Sequence, residues 1–346
     1  MKRVWVALTL GVLMVAYGLG GAATTAWAQQ PRPIRIGVDI SHRTNPFYVA
    51  LSNAVEKAGR DLGIEVRVID HERRIDKQID VIQGFIAAKM DGLVVQPEEI
   101  AVGPRILKMV GDANTPVAII DRWPGTEPSG NYIMFIAADD VQAGYDVAMS
   151  LIRAGCKRMV AIDGVRGSSV HEGRAKGRQN ALAEHPEVKL VADQWGANVR
   201  TAAADIMESF LSAYPGPGFD CAWHSNDDSA LGSWKILSDR NLLGKVKVAG
   251  IDLLPEAIQH IKEGTYEFST GGSYLMGAFA VVVMHDFLHG IKPADPIIKL
   301  KLLGVTKENV LKYEEQYIKN PPPINWRERS RVYNPNAKTY FLISLE

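Results

Sequence analysis

Aspartate, asparagine and arginine recur at one kind of place in this chain: where a short apolar stretch gives way to a helical repeat. Asp121-Arg122-Trp123 follows the apolar run 116–120, and Asp163-Gly164 follows 158–162. Asn226-Asp227-Asp228 follows 219–225, and Asp252 closes 246–251. Residues 41–49 read Ser-His-Arg-Thr-Asn-Pro-Phe-Tyr-Val, adding Asn45 and the aromatics Phe47 and Tyr48 at a corner of the same kind. Carboxylates accept hydrogen bonds and a guanidinium donates them in a fixed fork, so both suit vicinal hydroxyls. Aromatic faces suit the apolar C–H side of a ring. The set could therefore read a small polyhydroxylated molecule. Each residue alone has a plainer role, since Asp or Asn at a strand end often caps the next helix, and Asn226 could do only that.

The elements that must position these groups alternate strand and helix. Residues 34–40 alternate apolar and polar as a half-buried strand does. From Pro46 the apolar residues Phe47, Val49, Leu51, Ala54, Val55, Ala58 and Leu62 recur at helical spacing. Asn45 would cap this helix, with Pro46 as its first residue. Further strands are predicted at 65–70, 92–96, 116–121 and 132–137, with helices at 75–89 and 106–113 between them. A second unit of the same rhythm follows Asp139, through helices 142–154, 170–183, 201–214, 228–237 and 255–263. This is an α/β chain of two Rossmann-like lobes, each a parallel sheet covered on both faces, with the strand ends facing a cleft. A single eight-stranded barrel is the alternative. Helices are also predicted at 275–289 and 305–317, and the tail after Asn320 reads as an extended surface wrap.

Lys2 and Arg3, the apolar run from Val4 and the ending Ala26-Trp27-Ala28 form a secretory leader, with cleavage expected after Ala28. No cysteine precedes Cys156, so no lipid-bearing cysteine can start the exported chain. An unanchored exported binder needs a second membrane to retain it, which points to a periplasm. The 346 residues carry 39 basic and 39 acidic side chains, a balance that suggests no nucleic-acid partner. Two cysteines make no metal cluster; in an oxidising compartment Cys156 and Cys221 could pair, and the sequence leaves this open.

Several motifs occur in order from about residue 34 to 305: Thr44-Asn-Pro-Phe-Tyr48, Asp121-Arg122, Ala137-Ala-Asp-Asp-Val-Gln-Ala-Gly144, Gly164-Val-Arg-Gly-Ser-Ser169 with Arg174, Ser225-Asn-Asp-Asp-Ser-Ala-Leu-Gly232, and Val248-Ala-Gly-Ile-Asp252. In these the chain resembles the periplasmic sugar-binding proteins of the ribose-binding type, which serve ABC importers. The resemblance implies polar ligand contacts from Asn45, Asp121, Arg122, Arg174, Asn226 and Asp252, and ring packing from Phe47 and Tyr48. The family's third aromatic falls on Asn198, so Trp195 is expected to substitute. A ligand-contacting glutamine falls on Gly272, which would leave room for a ligand larger than a pentose. His42, His171 and His224 lie near the same edge without metal-ligand spacing, and His42 with Arg43 is expected to set specificity.

The resemblance further implies three crossings between the lobes, near 135–138, 268–272 and 293–298. The first lobe would comprise 34–135 and 272–296, the second 136–271 and 297–320, with 321–346 a surface extension. Implied partners are a small polyhydroxylated ligand and either the membrane permease of an importer or a membrane sensor kinase. The protein is expected to be a monomer without cofactor. No catalytic motif is visible. Asp121 and Asp252 could pair as acid and base of a glycosidase, but neighbouring arginines would hold them ionised.

Overall fold

The structure, a computed structural model, describes residues 1, 32–127, 132–216 and 218–345; the expected leader with its cleavage site lies outside them. Among the described residues no helix is long and apolar enough to cross a membrane.

The first lobe runs β1 (Arg35–Ile40), α1 (Pro46–Leu62), β2 (Glu65–Asp70), α2 (Ile75–Ala87), β3 (Gly92–Val95), α3 (Gly103–Asp112), β4 (Val117–Ile120) and β5 (Met134–Ala138). Local chemistry sets the corners. Asn45 caps α1 by accepting the Phe47 N–H at 2.8 Å, Pro46 opens the helix, and Gly63 ends it at φ 71°.

The second lobe runs α4 (Asp140–Arg153), β6 (Arg158–Ile162), α5 (Ser169–Glu184), β7 (Lys189–Gln194), α6 (Arg200–Ala213), β8 (Cys221–His224), α7 (Asp227–Asp239), β9 (Lys247–Asp252), α8 (Pro255–Glu263) and β10 (Phe268–Gly271). The chain then returns to the first lobe for α9 (Met276–Leu288) and β11 (Ile297–Leu300). It ends with β12 (Leu303–Val305), α10 (Val310–Tyr313) and α11 (Trp326–Arg329). The strand orders are β11-β5-β4-β3-β1-β2 and β12-β10-β9-β8-β6-β7, and every pairing is parallel except that of β12 with β10.

Three boundaries differ from expectation. Residues 136–138 complete β5 and so belong to the first sheet. Ile297–Leu300 pairs with β5, and Ile298 and Leu300 enter the first core, so this segment also stays with the first lobe. The third passage therefore lies at Lys301–Leu302, between β11 and β12. Residues 305–317 do not form one helix: Val305 ends a strand, and a single α-turn leads into a π-turn.

Each sheet buries apolar side chains on both faces, as parallel sheets do. α9 is apolar on nearly every side because it lies between α1 and strands β3 to β5. In the second lobe α4 and α5 press together where Gly144 and Gly177 meet the partner backbone. A Cβ on Gly144 would sit 2.0 Å from the Arg174 carbonyl oxygen, and one on Gly177 2.0 Å from that of Val141. Cys156 and Cys221 form a disulfide, with Cα atoms 5.7 Å apart, tying the start of β8 to the turn before β6.

The tail is more than a surface extension. Trp326 is buried in the first core against Phe279, and its backbone N–H donates to Asp61 at 3.1 Å. The Ser330 hydroxyl and the Arg331 N–H both donate to Asp286. Phe341 packs edge-on against Phe279. Ile343 then touches the cores of both lobes, and Ser344 exchanges hydrogen bonds with Tyr317 of the second lobe. An indole fully removed from water explains the anchoring, since its burial stabilises far more than a loose wrap could.

Candidate functional site

The carboxyl ends of the strands converge on a small cavity of about 30 Å³ between the lobes. From the first lobe it is lined by Asn45, Phe47, Tyr48, Asp121 and Arg122. The second lobe contributes Val170, His171, Arg174, Asn198, Asn226 and Asp252. Eight of the ten residues expected from the sequence are thus brought together; His42 and Trp195 are not.

Backbone strain aims two of the carboxylates. Asp121 has φ 63° and Asp252 φ 129°, both in the left-handed region that disfavours residues with a Cβ. Such conformations cost on the order of 1–3 kcal/mol each and persist where the surroundings enforce them. Asp121 accepts a hydrogen bond from the Gln96 amide, which also donates to the Tyr48 hydroxyl at 3.1 Å. Arg122 donates to that hydroxyl at 3.2 Å, to the Glu98 carbonyl at 2.9 Å and to the Glu98 carboxylate. With its oxygen accepting twice, the Tyr48 O–H proton remains available to donate. Burial pushes the Tyr48 phenol up to about 12, so it stays neutral.

On the opposite wall Arg174 donates to Asp140 at 2.9 Å and to the Ser225 carbonyl at 2.6 Å. Burial pushes the Asp140 carboxyl up to about 7 against the pull of Arg174. Burial also raises Asp252 well above the usual carboxylate range, again opposed by Arg174. The attraction of Arg174 expected from the sequence is present at Asp252, but the cost of desolvating the carboxylate exceeds it and sets the direction of the shift. Asn45 and Asn226 both cap helices, and capping does not remove them from the cavity wall. Each side-chain oxygen caps a helix, at 2.8 Å to Phe47 N and 2.9 Å to Ser229 N, and both residues line the cavity.

His42 stands one layer back. Its ring lies 4.8 Å from that of Tyr48 and its Nδ1 3.1 Å from the Ser41 hydroxyl. Burial, aided by Arg73 and Arg122, lowers its pKa to about 4, so it is neutral. Arg43 points away, donating to the Val68 carbonyl at 3.1 Å. His224 is buried behind the site against Ser233. His171 alone of the three expected histidines reaches the cavity, and its Nδ1 has no hydrogen-bond partner.

Trp195 faces an outer groove with the Arg166 guanidinium 4.3 Å above its ring, and Asn198 occupies the cavity wall instead. Backbone bonds from Gly196 to Gly164 and from Ala197 to Asp163 pin this loop and turn Trp195 outward. Trp195→Ala is accordingly expected to change ligand affinity by no more than about 0.5 kcal/mol in titration calorimetry. Gly272 opens no extra room, because a Cβ there would lie 2.1 Å from Cδ1 of Ile343; the tail fills that space.

Gln96, Glu98 and Asp140 were not singled out from the sequence. Gln96 directly follows β3 and obeys the same strand-end rule as the others, and Asp140 lies inside the motif that begins at Ala137.

Comparison with known proteins agrees with this architecture. The ribose import binding protein of Bacillus subtilis (strain 168) is 27% identical over 302 residues, covering 84% of this chain and 94% of that one. The structure is similar to that of a galactofuranose binding protein, with TM-score 0.78, 22% identity, and 82% and 98% of the two chains covered. It is also similar to an ABC transporter solute binding protein from Bacillus halodurans C-125 with bound myo-inositol, with TM-score 0.76, 24% identity, and 84% and 100% covered. Residues 36–292 match the periplasmic binding protein domain, and the chain belongs to that family.

Proposed function

We propose that this protein captures one molecule of a sugar or sugar-like polyol between its lobes in the periplasm and delivers it to the permease of an ABC importer. The observation that carries this reading is the cavity between the lobes, in which two aromatic rings share the walls with hydrogen-bonding groups drawn from both lobes. Both arginines already hold a carboxylate, Arg122 with Glu98 and Arg174 with Asp140. A lining whose charges are balanced internally suits uncharged hydroxyls better than a sugar acid or phosphate. The cavity is tight, since about 10–15 Å³ of such space holds one water. A ring-sized ligand therefore enters by opening of the lobes, and a chain of several rings does not fit. The relatives named for ribose import and the neighbour with bound myo-inositol support the same ligand class.

A thermal-shift screen over pentoses, hexoses, inositols, sugar acids and nucleosides tests the reading. A ligand at 100 times its Kd adds about 2.7 kcal/mol to stability. A rise with one or a few neutral sugars or polyols is expected; a flat response across the panel removes the proposal.

A further inference from the structure

Behind Arg122 lies a buried polar system that touches no part of the cavity. His71 sits between two carboxylates, its Nδ1 2.8 Å from Asp39 and its Nε2 3.0 Å from Glu98. Asp39 and His71 are fully buried and Glu98 nearly so. The same Glu98 oxygen accepts from the Ser41 hydroxyl at 2.6 Å and from Arg122. Gln78 of α2 closes the frame, donating to Asp39 at 2.5 Å and to the Gln96 carbonyl at 2.8 Å while accepting the Glu98 N–H at 3.0 Å. One chain of bonds thus leads from Asp39 through His71, Glu98 and Arg122 to Tyr48, Gln96 and Asp121.

A neutral imidazole has one N–H, so it can serve only one of two carboxylates; the other would face a bare nitrogen lone pair. With Asp39 and Glu98 both ionised, only the doubly protonated ring satisfies both at these distances; burial raises the Asp39 pKa, and the hydrogen bonds from His71 and Gln78 work against that rise. We propose that His71 is a positioning residue for ligand binding: as an imidazolium it fixes Glu98, and Glu98 in turn holds the Arg122 guanidinium at the cavity wall.

The surrounding charges support that protonation state. His71 faces Asp39 from β1, Glu98 from the loop after β3, and the neutral Gln78 from α2. Arg122 donates to the Glu98 carboxylate, the neutral His42 contacts Ser41, and Arg73 follows two residues after His71 with its N–H on the Ser41 carbonyl. Burial opposes the charge on His71, but hydrogen bonds to Asp39 and Glu98 outweigh it and raise the pKa to about 9. For Glu98, burial is overcome by His71, Arg122 and Ser41, and its pKa falls to about 2. Because the His71 pKa is raised, the charged form persists below about 9 and is lost above it. The effect on binding therefore falls on the alkaline side.

The inference rests on the sugar-binding reading for its affinity test and stands apart from it in a second measurement. The affinities of D-ribose, D-galactose and myo-inositol are measured by calorimetry from pH 6 to pH 10. Wild-type affinity for the probe that binds is expected to stay level to pH 8 and fall about tenfold by pH 10. His71→Gln, which keeps an amide but no charge, is expected to bind about tenfold more weakly at pH 7 and to lose the alkaline fall. A structural role alone would lower the melting temperature and leave the shape of the pH profile unchanged, and that result overturns the proposal. Long-range ¹H–¹⁵N spectra of histidine-labelled protein need no ligand. Both ring nitrogens of His71 should remain protonated at pH 8 in the wild type, with titration moved below pH 8 in Glu98→Gln. A neutral His71 at pH 8 overturns the inference whether or not any sugar binds, whereas failure of all three probes with a charged His71 counts against the functional reading alone.

Discussion

Arg174→Ala is expected to weaken ligand binding by at least 100-fold and to lower the stability of the second lobe by about 3–5 kcal/mol. The arginine is buried, and its guanidinium is divided between Asp140 and the Ser225 carbonyl at the cavity wall. Removing it strips a ligand donor and leaves Asp140 in a dry site without its cation. That second loss, not the missing contact alone, makes breaking a buried pair so costly. An Asp140 carboxyl already pushed up to about 7 would then take a proton throughout the neutral range. Arg174→Lys separates the two effects, since it keeps a charge near Asp140 but cannot supply the fork. The lysine variant should recover more of the melting temperature than of the affinity. Calorimetric titration and urea unfolding on both variants check this, and wild-type affinity in the alanine variant would contradict the site.

Replacing Cys156 and Cys221 together by serine is expected to cost roughly 4 kcal/mol, the second large effect. The bridge closes a segment with a sequence separation of 65 residues. In the chain-entropy account a loop of that size gives up about 4 kcal/mol of unfolded-state freedom when cross-linked. Cys221 opens β8 and Cys156 lies just before the neighbouring β6, both in one apolar cluster, so the serine pair also places two hydroxyls in an apolar core. Urea unfolding with and without reductant measures the difference. The denatured, unreduced protein should show no free thiol in a colorimetric assay; two thiols would refute the pairing.

The rule that polar residues at strand ends share one edge was enough to assemble most of the cavity from sequence. It works because a parallel sheet puts every strand's carboxyl end on one side, whatever the order of the strands. It fails one residue beyond the strand. Trp195 and Asn198 stand three apart, and only the backbone bonds of Gly196 and Ala197 decide which of them meets the cavity. Asp39 shows a different limit. In the pattern Ile-Arg-Ile-Gly-Val-Asp-Ile it reads as the polar side of a half-exposed strand. β1 lies between β3 and β2 and is covered on both faces, so Asp39 is buried and needs His71 and Gln78 as partners. The misplaced third crossing has the same origin, because the pairing of Ile297–Leu300 with β5 spans more than 150 residues of chain and leaves no local mark. Trp326 was read as surface for lack of any periodicity around it, yet a lone indole can dock a tail that has no helix of its own.

That tail changes the mechanics of the molecule. Three passages join the lobes as continuous backbone, and a hinge of that kind bends without breaking contacts elsewhere. The tail adds to them, because the backbone passes again from Tyr317 in the second lobe to Trp326 in the first core and returns to end with Ser344 on Tyr317. Spreading the lobes must either stretch this segment or lift Ile343 away from Gly272. The contacts of Ile343 and Ser344 thus join the stretch between Trp326 and the second lobe to the same set of links that any change in lobe separation has to accommodate.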